Sequence, residues 1–327
     1  MERISERKIV LVTRKTRLEE LKERYNTVAQ ARFYVETLGG DFEDYEREDQ
    51  VYNAALGRMV KTLSALGRVQ VIERTFVPNF LFGPEDTVVV AGQDGLVANT
   101  LKYLDHQPVV AVNPDPSRWE GVLLPFTEND LSRIVREVFA GKRPFKEISM
   151  AMVCLPGHMR LYAVNDLFIG TQSHGSARYI LDSGGQRETQ SSSGVIVSTG
   201  LGSTGWLRSV LTGAVGIARR SWALGLTGPE PGALNGDEDS PQQLVASGFD
   251  WSAEYLYYSV REPFPSKTTG AGLTFGRVDA GQPLTITSLM SSRGVIFSDG
   301  MEEDFLEFNS GQKASISLAD KRGSLVL

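Results

Sequence analysis

The sequence predicts two domains of different build. Residues 1–145 read as an α/β N-terminal domain, a parallel sheet with flanking helices, and residues 146–327 as a β-rich, mostly antiparallel C-terminal domain. Three observations predict this. Short apolar runs alternate with helical patterns over residues 8–140, the order of a parallel sheet covered by helices. From residue 146 the texture changes to short β runs divided by Gly, Pro and Ser turns. The 327 residues also suffice for two domains of ordinary size, each with its own core.

The first domain opens with a strand at Ile9–Val12. A long amphipathic helix follows in "RLEELKERYNTVAQARFYVETL", with Leu18, Leu21, Tyr25 and Val28 on one face. Gly39 and Gly40 in "LGGDFEDYERED" follow a helical pattern, so they read as a helix C-cap leading into an acidic loop without chemistry. A second helix is expected in "QVYNAALGRMVKTLSALG" and β runs in "VQVIERTF", "TVVVAG" and "PVVAVN", the last two separated by a short helix in "LVANTLKYLD". "TENDLSRIVREVFAG" closes the domain as a helix with Thr127 as N-cap.

The second domain reads as strands in "EISMAMVCL", "MRLYAVNDLFIG", "ARYILDS", "TQSSSGVIVST", "AEYLYYSVREP", "PLTITSLMS", "GVIFSDG" and "KASISL". One helix interrupts them at "TGWLRSVLTGAVGIARR", followed by a polar insertion at residues 227–243 that reads as a surface loop. The last strands have room to pack back on the first domain.

Hydrophobic residues make up 41% and charged residues 23% of the chain, the proportions of a soluble globular protein. The net charge of 34 − 40 = −6 argues against a surface built mainly for nucleic acid, without excluding a local basic pocket for phosphates. The one cysteine, Cys154, forbids an internal disulfide, points to a reducing compartment and reads as a buried structural thiol in an apolar run. Ile9–Val12 is too short for a signal core or a membrane span, and Glu2 and Glu6 are unlike an organellar transit peptide. The chain is expected to be cytoplasmic and without a membrane partner. His106, His158 and His174 pair with nothing at metal-ligand spacing, so no protein-held metal is expected.

Three clusters carry the chemistry. In "VVVAGQDGL" a strand ends at glycines that flank Asp94. The C-terminal ends of parallel strands are where open α/β sheets place ligands, and Gly92 and Gly95 let a backbone approach a bulky anion. Asp94 is then an exposed carboxylate at the mouth of a cleft, or an ordinary Asp-Gly turn. Asn165-Asp166 interrupts an apolar strand run, although both residue types are disfavoured in strands. The pair reads either as a bulge or strand end, or as a buried couple that bonds vicinal hydroxyls. Gly200-Leu-Gly202-Ser-Thr-Gly205 matches G-x-G-x-x-G, yet no Asp or Glu follows before Glu230 and the surroundings are hairpin-like. A dehydrogenase is therefore the weakest reading.

Taken together, "GQDG" at 92–95, "VNDLFIG" at 164–170 and "SSGVIVSTGLGSTGW" at 192–206 resemble, in order and spacing, the motifs of the NAD kinase family. "VTRKTRLEELKERY", "VNPDPSRWEG", "SVREPFPSK" and "SDGMEEDFLEFNSG" make the mitochondrial type of that family the most similar form. The resemblance implies an active site in a cleft between the domains, Mg²⁺-dependent transfer of the ATP γ-phosphoryl group to the 2′-hydroxyl of the adenosine ribose of NAD, and a homodimer. It implies Asp94 as the general base. Gly92, Gln93, Gly95 and Asn113 are implied nucleotide contacts, with Asn165 and Asp166 on ribose hydroxyls. Ser198, Thr199, Ser203, Thr204, Gly205 and Trp206 form the third implied contact segment. Gln93 departs from the family's second Gly, Leu96 from its Thr or Ser, Asp166 from its Glu and Ser193 from a frequent Asp. Were φ positive at position 93, Gln93 would carry about 1–2 kcal/mol of strain. Two further readings share the fold: an NAD(P)- or nucleotide-binding protein without turnover, and a kinase of another hydroxyl compound.

Overall fold

The computed structural model describes residues 3–224 and 241–327 and divides into two compact units. One runs to Lys146 and takes in Gly323–Leu327; the other is Glu147–Arg322. Most of the 227–243 insertion lies outside the described residues.

In the first unit the chain runs β1 (Lys8–Thr13), α1 (Arg17–Tyr25), α2 (Val28–Thr37), α3 (Phe42–Ser64), β2 (Arg68–Glu73), β3 (Thr87–Ala91), α4 (Asp94–Leu101), β4 (Pro108–Val112) and α5 (Leu131–Phe139). The strands lie in the order β2-β1-β3-β4, and all three pairings are parallel. Ile9–Val12 and Val88–Ala91 are fully buried, as expected for strands covered on both faces. Ile9, Leu11, Val89 and Ala91, on one face, pack with Met59 and Leu63 of α3 and Ile134 and Val135 of α5.

The long first helix of the sequence reading is instead two. Asn26 takes φ 63° at the end of α1, a conformation Asn tolerates better than most residues. Thr27 then caps α2 by accepting the Gln30 N–H. Val28 therefore opens a new helix and is exposed, while Leu18 is buried. The expected acidic loop is also corrected: Gly39 does adopt positive φ, but Asp41 caps α3, and the acidic residues fill its first turns, where the helix dipole favours them.

In the second unit follow β5 (Phe145–Leu155), β6 (Met159–Ala163), β7 (Asp166–Thr171), β8 (Ala177–Ser183), β9 (Gln186–Ser192), β10 (Val195–Ser198), α6 (Trp206–Ala223), α7 (Pro241–Ser247), β11 (Tyr255–Val260), β12 (Phe275–Asp279), β13 (Leu284–Ser288), β14 (Gly294–Ser298), β15 (Met301–Glu307) and β16 (Lys313–Val326). One sheet, β12-β11-β10-β7-β14-β15, is antiparallel throughout. β9, β8, β13 and the first residues of β16 pair antiparallel as well, and β5 with β6 forms a hairpin. β12 and β15 were not anticipated, and "MRLYAVNDLFIG" is two strands. At its far end β16 belongs to the first unit, where Ser324 and Leu325 pair in parallel with Pro108 and Val109.

The strand period of two places Ala151, Val153 and Leu155 in the core and turns Cys154 outward, so the thiol is free and half-buried, not buried as expected. Among the described residues no helix is long and apolar enough to cross a membrane.

Candidate functional site

In the first unit β3 ends at Ala91, and its carbonyl is pinned from below. Tyr52 Oη of α3 donates to Ala91 O at 2.9 Å and accepts the Arg14 N–H at 3.0 Å. Burial raises the Tyr52 phenol, so it stays neutral in both bonds. The chain then passes Gly92 and enters α4. Gln93 is the N-cap at φ −112°, ψ 166°, ordinary extended backbone, so no strain is stored there. A Cβ on Gly92 would meet the Leu96 side chain, 2.7 Å from Cδ2 and 3.4 Å from Cβ, and around Gly95 there is open space. The N–H groups of Leu96 and Val97 turn back to the Gln93 carbonyl, which leaves those of Asp94 and Gly95 at the open end of the helix.

Asp94 is the first residue of α4 and is half-buried. Its carboxylate accepts the backbone N–H of Leu123 at 2.8 Å and of Val122 at 3.1 Å. A carboxylate offers about four lone-pair positions, so two remain for a hydroxyl. The loop that supplies these amides starts at Asn113, which is buried. Asn113 Nδ2 donates to Trp119 O at 2.8 Å and Oδ1 accepts the Asp115 N–H at 3.0 Å. Asn113 thus spends its side chain on the loop. Gly121 turns it with φ 68°, where a Cβ would stand 2.9 Å from Leu124 Cβ.

Behind the loop lies an ion-pair cluster that the sequence reading missed. Arg118 holds Asp44 with both terminal nitrogens, and Arg17 reaches Asp44 at 2.7 Å and Glu48 at 2.5 Å. Arg14 bonds Glu48 at 2.9 Å. The hydrogen bonds from Arg118 and then Arg17 hold the Asp44 carboxyl well below the usual carboxylate range. Asp44, Glu48 and Tyr52 recur every four residues on α3, a polar stripe that was legible in the spacing once residues 42–64 are read as helix.

In the second unit the interruption at Asn165-Asp166 proves to be a strand start. β6 ends at Ala163 and Asp166 opens β7. Asp299, in the turn between β14 and β15 at φ 54°, gathers the bend: its carboxylate accepts the N–H groups of Val164 at 3.0 Å, Asn165 at 2.7 Å and Asp166 at 3.2 Å. The bonds at Asn165 among the described residues use its backbone, and its side-chain amide is half-exposed. Asp166 is buried, and its carboxyl is pushed up to about 7, by burial first and by the Asp299 charge second. At neutral pH it can therefore either donate to or accept from a hydroxyl.

The turn at 198–206 packs on this bend. Thr199 Oγ1 donates to Val164 O at 2.6 Å and the Thr199 N–H to Asn165 O. Ser198 Oγ donates to Thr199 O and Ser203 Oγ to Gly200 O, while Ser203 also accepts the Phe249 N–H. These three hydroxyls are buried and bonded to the backbone, so they support the turn. Thr204 and Gly205 are exposed. Trp206, half-buried, stacks on Phe168 at 5.6 Å between ring centres and carries the Arg261 guanidinium 5.2 Å from its own. The sequence reading quoted "SDG" but did not single out Asp299; its signal was an Asp-Gly turn following an apolar strand.

No family model matches the chain, and no curated protein matches its sequence. Among solved structures the chain is similar to yeast NADH kinase complexed with NADH, at 13% identity and a TM-score of 0.57, over 99% of this chain and 84% of that one. It is also similar to an NAD kinase from Archaeoglobus fulgidus in complex with ATP, at 14% identity and a TM-score of 0.54, over 98% of this chain and 93% of that one. At these identities the likeness is one of fold: a mostly parallel sheet with flanking helices and an antiparallel β-rich part, as in those two-domain kinases.

Proposed function

We propose that the chain is an NAD kinase-like phosphotransferase, of the mitochondrial type its motifs resemble, and that Asp94 is its general base. The observation that carries the reading is the placement of Asp94. It is a carboxylate just beyond the C-terminal end of a parallel strand, at a helix start with open backbone amides, oriented by two N–H groups with lone pairs to spare.

In the proposed reaction the 2′-hydroxyl of the adenosine ribose of NAD gives its proton to Asp94 as its oxygen bonds to the γ-phosphorus of ATP. The bond from that phosphorus to the β,γ-bridging oxygen breaks, and ADP and NADP result. The amides of Asp94 and Gly95, with the space left by Gly95, would face the ATP phosphates. Asn165 and Asp166 would hold the ribose hydroxyls, and Thr204, Gly205 and Trp206 the adenine. Ser198, Thr199, Ser203 and Asn113 move from ligand contact to support. Mg²⁺ would come with ATP as its counter-ion and would offset the phosphate charge; among the described residues no group of three or more His, Cys, Asp or Glu is placed to hold a metal. The proposal includes the homodimer that the resemblance implies, and a cytoplasmic setting in keeping with the single, half-buried Cys154.

The test is NADP formation from NAD, ATP and Mg²⁺ by the purified protein beside Asp94→Asn. Activity that falls by about 10²–10⁴ in the variant, with NAD binding kept, supports the base role. A wild type that binds NAD and forms no NADP sinks the kinase reading in favour of a binding protein.

A further inference from the structure

The loop that feeds two amides to Asp94 is braced within itself by the Asn113 side chain and by turns at Arg118, Trp119 and Leu124, and it buries Leu123 and Leu124. It contains two prolines, Pro114 and Pro116, which donate no hydrogen bond, and Gly121 at positive φ. Val122 is 72% exposed, so solvent competes for its N–H. What ties the loop to the rest of the unit at its midpoint is Arg118. Its guanidinium lies over Asp44 of α3, donating through Nη1 at 3.1 Å and through Nη2 to both the other carboxylate oxygen and the Asp44 carbonyl, while Nε faces Asp115 at 3.7 Å. Asp44 is fixed in turn by Arg17, and Arg17 by Glu48, which Arg14 also holds. The same α3 stripe ends in Tyr52, which pins Ala91 three residues before Asp94. One helix face thus fixes both things that define where the Asp94 carboxylate points: the strand end that carries it and the loop that receives it.

We infer that Arg118, clamped by Asp44, is a positioning residue that sets the orientation of Asp94 by holding the Val122 and Leu123 amides against its carboxylate. The inference rests on the kinase reading for its consequence in catalysis, but not for the contact itself. Two N–H donors aim the carboxylate's remaining lone pairs, so a loop set free should leave the Asp94 carboxylate turning among several orientations. A fork that grips two carboxylate oxygens fixes direction as well as distance, which a lysine's single ammonium does not.

The experiment compares wild type with Arg118→Gln and Arg118→Lys, and uses Arg133→Gln, an exposed pairing on α5, as the control. Two quantities are read: amide exchange of Val122 and Leu123, and kcat against KM for NADP formation. Arg118→Gln is expected to speed the two amides about tenfold or more and to lower kcat about tenfold. KM for NAD should stay within about twofold of the wild type, because the ribose contacts are not touched. Arg118→Lys should show the same changes at smaller size. Should the Gln variant not fold, the Lys variant carries the test alone. Folded variants in which the two amides exchange as in wild type overturn the inference, whatever their melting temperature. A wild type without NADP formation removes the kinase reading, and amide exchange still decides whether Arg118 holds the loop.

Discussion

Gly202 lies so close to the carbonyl of Asn165 that a Cβ on it would stand 2.0 Å from the oxygen, and one on Gly200 would stand 1.9 Å from the carbonyl of Asp250. Neither glycine has positive φ. Both are required by backbone approach, which explains the G-x-G-x-x-G pattern without a dinucleotide fingerprint. The turn fastens the bend that carries Asn165 and Asp166, so Gly202→Ala must push these two backbones apart. The expected cost is about 1–3 kcal/mol of stability, with loss of NAD affinity. Gly213→Ala on α6, where a Cβ meets nothing within 4 Å, is the matched control and should gain up to about 1 kcal/mol from helix propensity. Urea denaturation of the two variants checks this; equal stability would remove the packing account.

Asp166 makes stability depend on pH in a direction opposite to that of a paired carboxylate. Its folded pKa is raised to about 7, by burial and then by Asp299, so between the unfolded value near 4 and 7 the folded chain binds the extra proton. Its contribution is therefore fully present below pH 4 and lost as pH rises through 7. Asp166→Asn should be more stable than wild type above pH 7, on the order of 2–4 kcal/mol, with the difference vanishing toward pH 4. The same variant should hold NAD more weakly, since Asn cannot switch between donor and acceptor at one oxygen. Denaturation midpoints across pH 4–8 read the first effect; a difference that does not change with pH would exclude Asp166 as its source.

Glu48 supplies the contrasting case. Burial opposes its ionisation, but the hydrogen bonds from Arg17 and Arg14 outweigh that and lower its pKa. Its contribution is present above the unfolded value and lost as pH falls through the lowered folded one. Glu48→Gln leaves Arg14 facing a neutral amide in a buried site, which should cost about 3 kcal/mol at pH 7. The deficit should shrink as the pH falls below the ordinary glutamate value and through the lowered folded one, where wild-type Glu48 itself takes up a proton.

Much of this was legible in the sequence. The parallel strands announced themselves as apolar runs between helical patterns, and the ends of β3 and β6 were marked by residues that strands disfavour. The failures have physical reasons. The apolar stripe from Leu18 to Val28 has helical spacing straight through Asn26, and only the left-handed turn there breaks it. Asp44 and Glu48 looked like a solvated acidic run because their partners, Arg14, Arg17 and Arg118, lie 27 to 74 positions away in the chain. Hydroxyl residues at 198–203 suggested ligand contacts, but a turn packed this tightly needs its own donors and acceptors. Asp94 and Asp166, whose roles were named from local chemistry, open a helix and a strand, and the residues that hold them there came only from the fold.

Gln93 remains the departure on which the proposed ATP site turns, and its geometry changes what a substitution there should do. At φ −112° the position asks nothing of glycine, so Gln93→Gly relieves no strain. As an N-cap that makes no side-chain hydrogen bond, Gln93 also gives nothing up when it is removed, and Gly is acceptable at that position. The stability change should therefore stay within about 0.5 kcal/mol, set by backbone entropy against capping preference. An effect on function must then come through the side chain itself, half-buried at the helix start where the phosphates are proposed to lie. If the amide crowds the phosphates, Gln93→Gly lowers KM for ATP; if it donates to them, KM rises. In both cases KM for NAD is unaffected. Steady-state kinetics on this variant, with urea denaturation beside it, separate the two. A stabilisation of 1–2 kcal/mol would contradict the extended backbone at Gln93 and reinstate the strain that positive φ would impose.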